Sequence, residues 1–139
     1  MSAYEHVEVD ARADAVVAAL REGLRSRGLT EYAVVDHGHD MAAAGATPQP
    51  AWTLVFGNPA AGAALLESEL SAAVDIPLRL AVIGRSAGRS AIVIRPMGTL
   101  LGERHHDLAD RFTAVLRALA DAARADAERA EGPGSASPP

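Results

Sequence analysis

A chain of 139 residues suits one domain, large enough to bury its own core without a staple. Its net charge of −5 comes from 18 acidic and 13 basic residues, and the basic ones form no run. Non-specific nucleic-acid affinity, which depends on counterion release by clustered cations, is therefore disfavoured. Every basic residue is Arg and Cys is absent, which excludes lysine Schiff bases, a lysine general base, a P-loop lysine, disulfides, thiolate nucleophiles, iron–sulfur ligation and cysteine-bound zinc.

Taken in chain order, "YEHVEV" at residues 4–9 alternates like a strand with one weakly apolar face, which suits a sheet edge. Asp10 stands where an N-cap belongs, and Ala13, Val16, Val17, Leu20 and Leu24 then recur at helical spacing until Gly28. "EYAVVDH" reads as a strand, and "GHDMAAAGATPQP" as a long loop holding a short Ala-rich turn of helix. "AWTLVFG" at 51–57 is apolar almost throughout, as in a strand covered on both faces, and leads into the helical pattern "PAAGAALLESELSAAV". "PLRLAVIG" and "SAIVIRP" flank "RSAGR" as a hairpin.

From about residue 99 to 128, Leu108, Phe112, Val115, Leu116 and Leu119 form an apolar stripe opposite Asp107, Arg111, Arg117 and Asp121. The final "EGPGSASPP", residues 131–139, has the composition of a disordered tail. The charged N-terminus lacks a signal-peptide core, and no apolar run reaches the roughly 20 residues of a membrane span, so cytoplasm is the expected location.

This order predicts an α/β (α+β) fold: a single domain over residues 1–130, with a small mixed sheet and helices packed mainly on one face. Helical crossovers favour parallel pairing and the hairpin antiparallel pairing. The strands at 78–83 and 90–94 are apolar on both faces, so a sheet face without helices would need a partner, and a homodimer is expected.

Four constellations carry candidate chemistry. Gly57-Asn58-Pro59 after an apolar strand reads as a tight turn, an N-cap and a first helical residue. The same corner would present the amides of Ala60 and Ala61 to an anion. Its Gly57–Gly62 spacing resembles half a P-loop, but Ala63 and Ala64 replace the Lys and hydroxyl that nucleotide binding needs. "GRSAG" at 84–88 matches a nucleophile elbow in letters, yet it is followed by a strand rather than a helix.

"DHGHDM" at 36–41 concentrates polar groups at a strand end. If the strand continued, His37 and His39 would share a face, offering an acid/base pair or, with Asp36 or Asp40, metal ligands. "ERHHD" at 103–107 supplies Arg104, His105 and His106, but adjacent helical histidines diverge by about 100° and do not chelate together.

Asp36-His37, Gly45, Pro48, Pro50, Phe56-Gly57-Asn58-Pro59, Gly62, Asp75-Ile76-Pro77-Leu78 and Arg104-His105 together resemble the family catalogued as domain of unknown function 302. The match runs without gaps over residues 36–78 and more loosely from about 12 to 120. The resemblance implies a small α/β domain that pairs as a dimer, with the Asp-His and Gly-Asn-Pro segments sharing a pocket; it implies no particular reaction. The chain departs from the family pattern at Ile94-Arg95-Pro96, where an aromatic hydroxyl is common, and at Ala63, often Thr.

The leading expectation is a dimeric binding protein for a small anionic molecule. Its candidate ligand contacts are His37, Gly57, Asn58, Pro59, Ala60, Arg95, Arg104 and His105. The alternative is a cofactor-free enzyme in which His37, assisted by Asp36, is the general acid/base. A metal or haem protein using His37, His39 or Met41 is the third reading, and neither of the first two calls for a cofactor.

Overall fold

The structure is a computed structural model that describes residues 3–99, 101 and 103–132. The expected tail lies outside the described residues from residue 133 onward. Five strands, β1 (Glu5–Val9), β2 (Thr30–Asp36), β3 (Ala51–Gly57), β4 (Leu78–Gly84) and β5 (Ser90–Ile94), form one sheet in the order β1-β5-β4-β3-β2. The helices are α1 (Ala13–Ser26), α2 (His37–Ala43), α3 (Pro59–Ser68) and α4 (His106–Ala130). No helix among the described residues is long and apolar enough to cross a membrane.

Helices α1 and α4 cover one face of the sheet and pack against each other. Alternation along the strands puts Val9, Ile92, Ile94, Val82, Leu80, Leu54 and Phe56 on that face, all buried. They meet Val16, Leu20 and Leu24 of α1 and Leu116 and Leu119 of α4. The α/β class and the helices on one face are as expected. All four strand pairs, however, are antiparallel, where parallel pairs were expected for the crossovers.

The reason lies in where each connection returns. β1 and β2 become the two edges of the sheet, so the α1 connection never makes them neighbours. β3 and β4 are neighbours, but Phe56 pairs with Leu78, so the chain leaves β3 and re-enters β4 at the same end of the sheet. Residues 58–77 therefore form an arch beyond the strand ends rather than a crossover. The helical pattern expected there stops at Ser68 and continues as a 3-10 turn, Leu70–Asp75.

Helix α1 corrects another expectation. Its N-cap is Arg12 rather than Asp10, and no side chain of its own caps it. The segment leading into α1 is instead tied to the end of α4: Glu128 accepts from the Asp10 amide at 2.9 Å, and Glu131, just past α4, from the Arg12 amide at 3.3 Å. At its other end α1 stops as expected at Gly28, whose φ of 68° suits glycine, with the Leu29 amide bonded to the Leu24 carbonyl at 3.0 Å.

Four glutamates are held below the ordinary carboxyl range by hydrogen bonds: Glu5 by Arg117, Glu8 by Arg85, Glu31 by Arg21, and Glu128 by the Asp10 amide. A lowered folded-state value means that the unfolded chain takes up protons first as pH falls. The stabilisation is thus complete at neutral pH and disappears as pH drops through the unfolded value of 4.5 and then the lower folded values. These groups are solvent-accessible, so the effect is modest and weakens in salt. The urea midpoint should fall between about pH 5 and pH 3, and Glu128→Gln should remove part of that fall. An unchanged slope in the variant would mean that Glu128 contributes nothing.

Candidate functional site

The arch begins at Asn58, whose side-chain oxygen accepts from the amides of Ala60 at 3.0 Å and Ala61 at 3.5 Å. With Pro59 as first helical residue this is a complete N-cap, which stabilises a helix by about 1 kcal/mol. It also corrects the expected anion corner: the amides that would have received an anion are taken by Asn58 itself. The arch ends at a cis Ile76–Pro77 bond leading into β4.

Between the arch and α4 lies a hollow of about 520 Å³, within the size range of small-molecule sites. Gly62 and Leu66 of α3 form one wall, and Ile76 and Pro77 close the end next to the sheet. The opposite wall is α4, which contributes Leu108, Arg111, Phe112 and Val115. Their spacing of i, i+3, i+4 and i+7 sets them on one helix face. Buried Ala109, Leu116 and Ala120 point instead to the core.

Leu29 and Tyr32, from the turn into β2 and from β2 itself, complete the lining beside Gly57. A β-carbon at Gly57 would stand 3.5 Å from the Tyr32 ring and 3.7 Å from Pro77, so the glycine leaves room where those two groups meet.

Among the described residues, Arg111 is the only charged one in this lining. It is solvent-exposed and makes no hydrogen bond or ion pair with the described residues. A smaller depression of about 300 Å³ adjoins the hollow and shares Leu108 and Arg111 with it. There the expected His105 and Arg104 are found: His105 Nε2 lies 2.7 Å from Glu69 Oε2, and Arg104 is 4.0 Å from the other oxygen. The His105 side chain is only 10% exposed, so the pair ties the end of α3 to the start of α4.

The expected shared pocket for Asp36-His37 and Gly57-Asn58 does not form within the chain. His37 stands near the opposite end of β3, its Nε2 2.7 Å from the Thr53 hydroxyl. Thr53 and Gly57 are separated by about 13 Å of strand. The strand ends at Asp36, and His37 opens α2, so His37 and His39 do not share a strand face.

Each group of "DHG" has a local task. Asp36 caps α2 by accepting from the His39 amide at 3.0 Å, and His37 ties α2 to β3. Gly38 passes so close to the Gln49 carbonyl that a β-carbon would lie 2.8 Å from it. Among the described residues, no three His, Asp or Glu side chains come together as metal ligands.

Arg95 lines neither hollow: its guanidinium lies 5.2 Å over the Tyr4 ring and donates to the Tyr4 hydroxyl at 3.2 Å. In "GRSAG", the Arg89 amide bonds the Ser86 carbonyl at 3.0 Å within the β4–β5 turn, so Ser86 belongs to a hairpin and not to an elbow. Sequence reasoning missed Tyr32 and Arg111. The available signal was that the apolar stripe of α4 is wider than one sheet contact requires.

An antiparallel sheet with helices α1 and α4 on one face and a hollow under an arch at one end defines a small α/β domain. The family model described as "Domain of unknown function DUF302" matches residues 5–125, and the chain belongs to that family. A crystal structure of an uncharacterized conserved protein DUF302 from Bacillus stearothermophilus superimposes with a TM-score of 0.79 at 19% identity, covering 89% of this chain and 100% of that one. This similarity shows the shared fold. Comparison with curated proteins finds no match.

Proposed function

We propose that the protein is a homodimeric binding protein for a small anionic molecule, held in the hollow between the arch and α4. The observation that carries this reading is an apolar hollow of ligand size whose only charged lining group, Arg111, has no partner among the described residues. In such surroundings a guanidinium forms charge-assisted hydrogen bonds with a carboxylate or phosphate.

The homodimer is supported by the sheet face that α1 and α4 leave open, where α2 reaches in at Thr53 through His37. Val35, Val55, Ala81, Ile83 and Val93 are half-buried there, and His6, Glu8 and Arg79 lie exposed around them. An apolar centre with a polar rim is the anatomy of a protein–protein interface.

Native mass spectrometry of freshly purified protein tests both parts. The expected spectrum is a dimer, with a released small molecule that is detected best as a negative ion. A monomer at about 10 µM would remove the dimer. A retained ligand that survives filling of the hollow would remove the site. The acid/base reading at His37 has no comparable support, because the Asp36 and His37 contacts are accounted for by α2.

A further inference from the structure

We propose that the hollow takes an amphiphilic carboxylate, with an aliphatic chain lying between α3 and α4 and its carboxylate at Arg111. This rests on the reading of the hollow as the ligand site and names the class of its ligand.

Three observations converge on that class. First, the walls offer almost nothing for a polar ligand. Apart from Tyr32, Asn58 and Arg111, every lining residue is aliphatic, aromatic, Pro or Gly, and the Asn58 oxygen is already committed to α3. A sugar or nucleobase would leave most of its donors and acceptors unpaired there, at a cost for each group. An aliphatic chain has no such groups and gains by leaving water.

Second, among the described residues the hollow's lining contains one cation and no carboxylate, and the adjoining depression adds Arg104 beside Asp107, so the charge around Arg111 favours an anionic head and disfavours an ammonium. Arg111 also occupies a boundary position. It belongs to the hollow and to the adjoining depression, so a head group held there remains at the solvent edge while the chain points inward. A carboxylate that stays hydrated avoids the penalty of a fully buried charge.

Third, the arch carries exposed apolar surface. Leu70 and Val74 are 76% and 82% exposed, four residues apart on the 3-10 turn, and Val74 precedes the lining residue Ile76 by two positions. Their exposure is unexplained by the core and gives the outside of the arch a surface that a hydrocarbon chain can wet before it enters.

The test is calorimetric titration of the full chain with hexanoate, octanoate and decanoate below their micellar concentrations, with decanol as the uncharged control. Affinity should rise about fourfold for each added methylene that enters the hollow. Arg111→Gln should weaken decanoate by roughly three- to tenfold and leave decanol within about twofold. Gly62→Leu should abolish both, because a β-carbon at Gly62 already lies 3.6 Å from Ile76 and the larger side chain fills the space. Ala63→Trp, at an exposed lining position, is the second filling variant and guards against a folding defect in the first.

Equal binding of decanoate and decanol with no effect of Arg111→Gln would overturn the carboxylate assignment while leaving the hollow as a binding site. A co-purified ligand displaced by the filling variants but lacking an aliphatic chain would overturn this proposal alone. Binding that both filling variants leave unchanged would overturn the hollow as well.

Discussion

Phe56→Ala should destabilise the protein by about 3–5 kcal/mol, the usual cost of removing a fully buried phenyl ring from a core. Phe56 has no exposed surface and lies on the helix-covered side of β3, cross-strand from Leu78. It is therefore fixed at the point where the arch leaves and rejoins the sheet. The neighbouring Leu54, Leu80 and Leu78 are strand residues held by ladder bonds and cannot collapse far into the space left behind. Small domains have about 5–15 kcal/mol in total, so the loss takes a large share of the stability. Val55→Ala, one residue away on the open face, should cost much less because that side chain is only half-buried. Urea unfolding of both variants checks the contrast. A Phe56→Ala cost no larger than that of Val55→Ala would mean that the core is not organised around this position.

The second large effect is expected at Ala81. It sits on the central strand and lies in the row Val35, Thr53, Ala81, Val93, His6 that crosses the open face of the sheet. Arginine here should be tolerated by one protomer, since its stem can lie along the apolar surface while the guanidinium reaches water. In a symmetric pair sheet-to-sheet contact would bury two such charges, each without a partner. Ala81→Arg should therefore weaken dimerisation by at least about 100-fold and leave the unfolding midpoint of the monomer nearly unchanged. Sedimentation velocity over a dilution series reads this directly. A variant that dimerises like the parent would rule out the open sheet face as the interface.

Much of the architecture was legible along the chain because local patterns specify it. Alternation marked β1, helical spacing with Gly28 marked α1, and "RSAGR" between two apolar runs marked the β4–β5 hairpin. What local pattern cannot carry is the return path of a connection. The segment from Asn58 to Pro77 looks like a crossover helix until Phe56 is found beside Leu78, and the hollow exists only because of that return.

The same limit separated the candidate residues. "DHG" and "GNP" flank one strand, and a strand holds its two ends apart, so nearness in sequence did not become nearness in space. Arg111 reads along the chain as lying opposite the apolar stripe of α4, yet it borders the hollow beside the stripe residues Leu108, Phe112 and Val115. Asp10 has the residue type and place of an α1 cap, but its own amide is held by Glu128, 118 residues away, and the helix begins after Arg12.

The placement of β1 also governs how the molecule can be made. The first strand of the chain has β5 as its only partner, with Glu5 opposite Ile94 and Val9 opposite Ser90. At ordinary synthesis rates the ribosome needs about 4–17 s to add the intervening residues, and α4, which covers α1, follows later still. A nascent chain can assemble the β2–β3 and β4–β5 hairpins as they emerge, but its leading strand must wait, unpaired, for nearly the whole domain. The polar residues Glu5, His6 and Glu8, which leave β1 with only a weak apolar face, keep that waiting strand soluble and discourage pairing with other nascent chains.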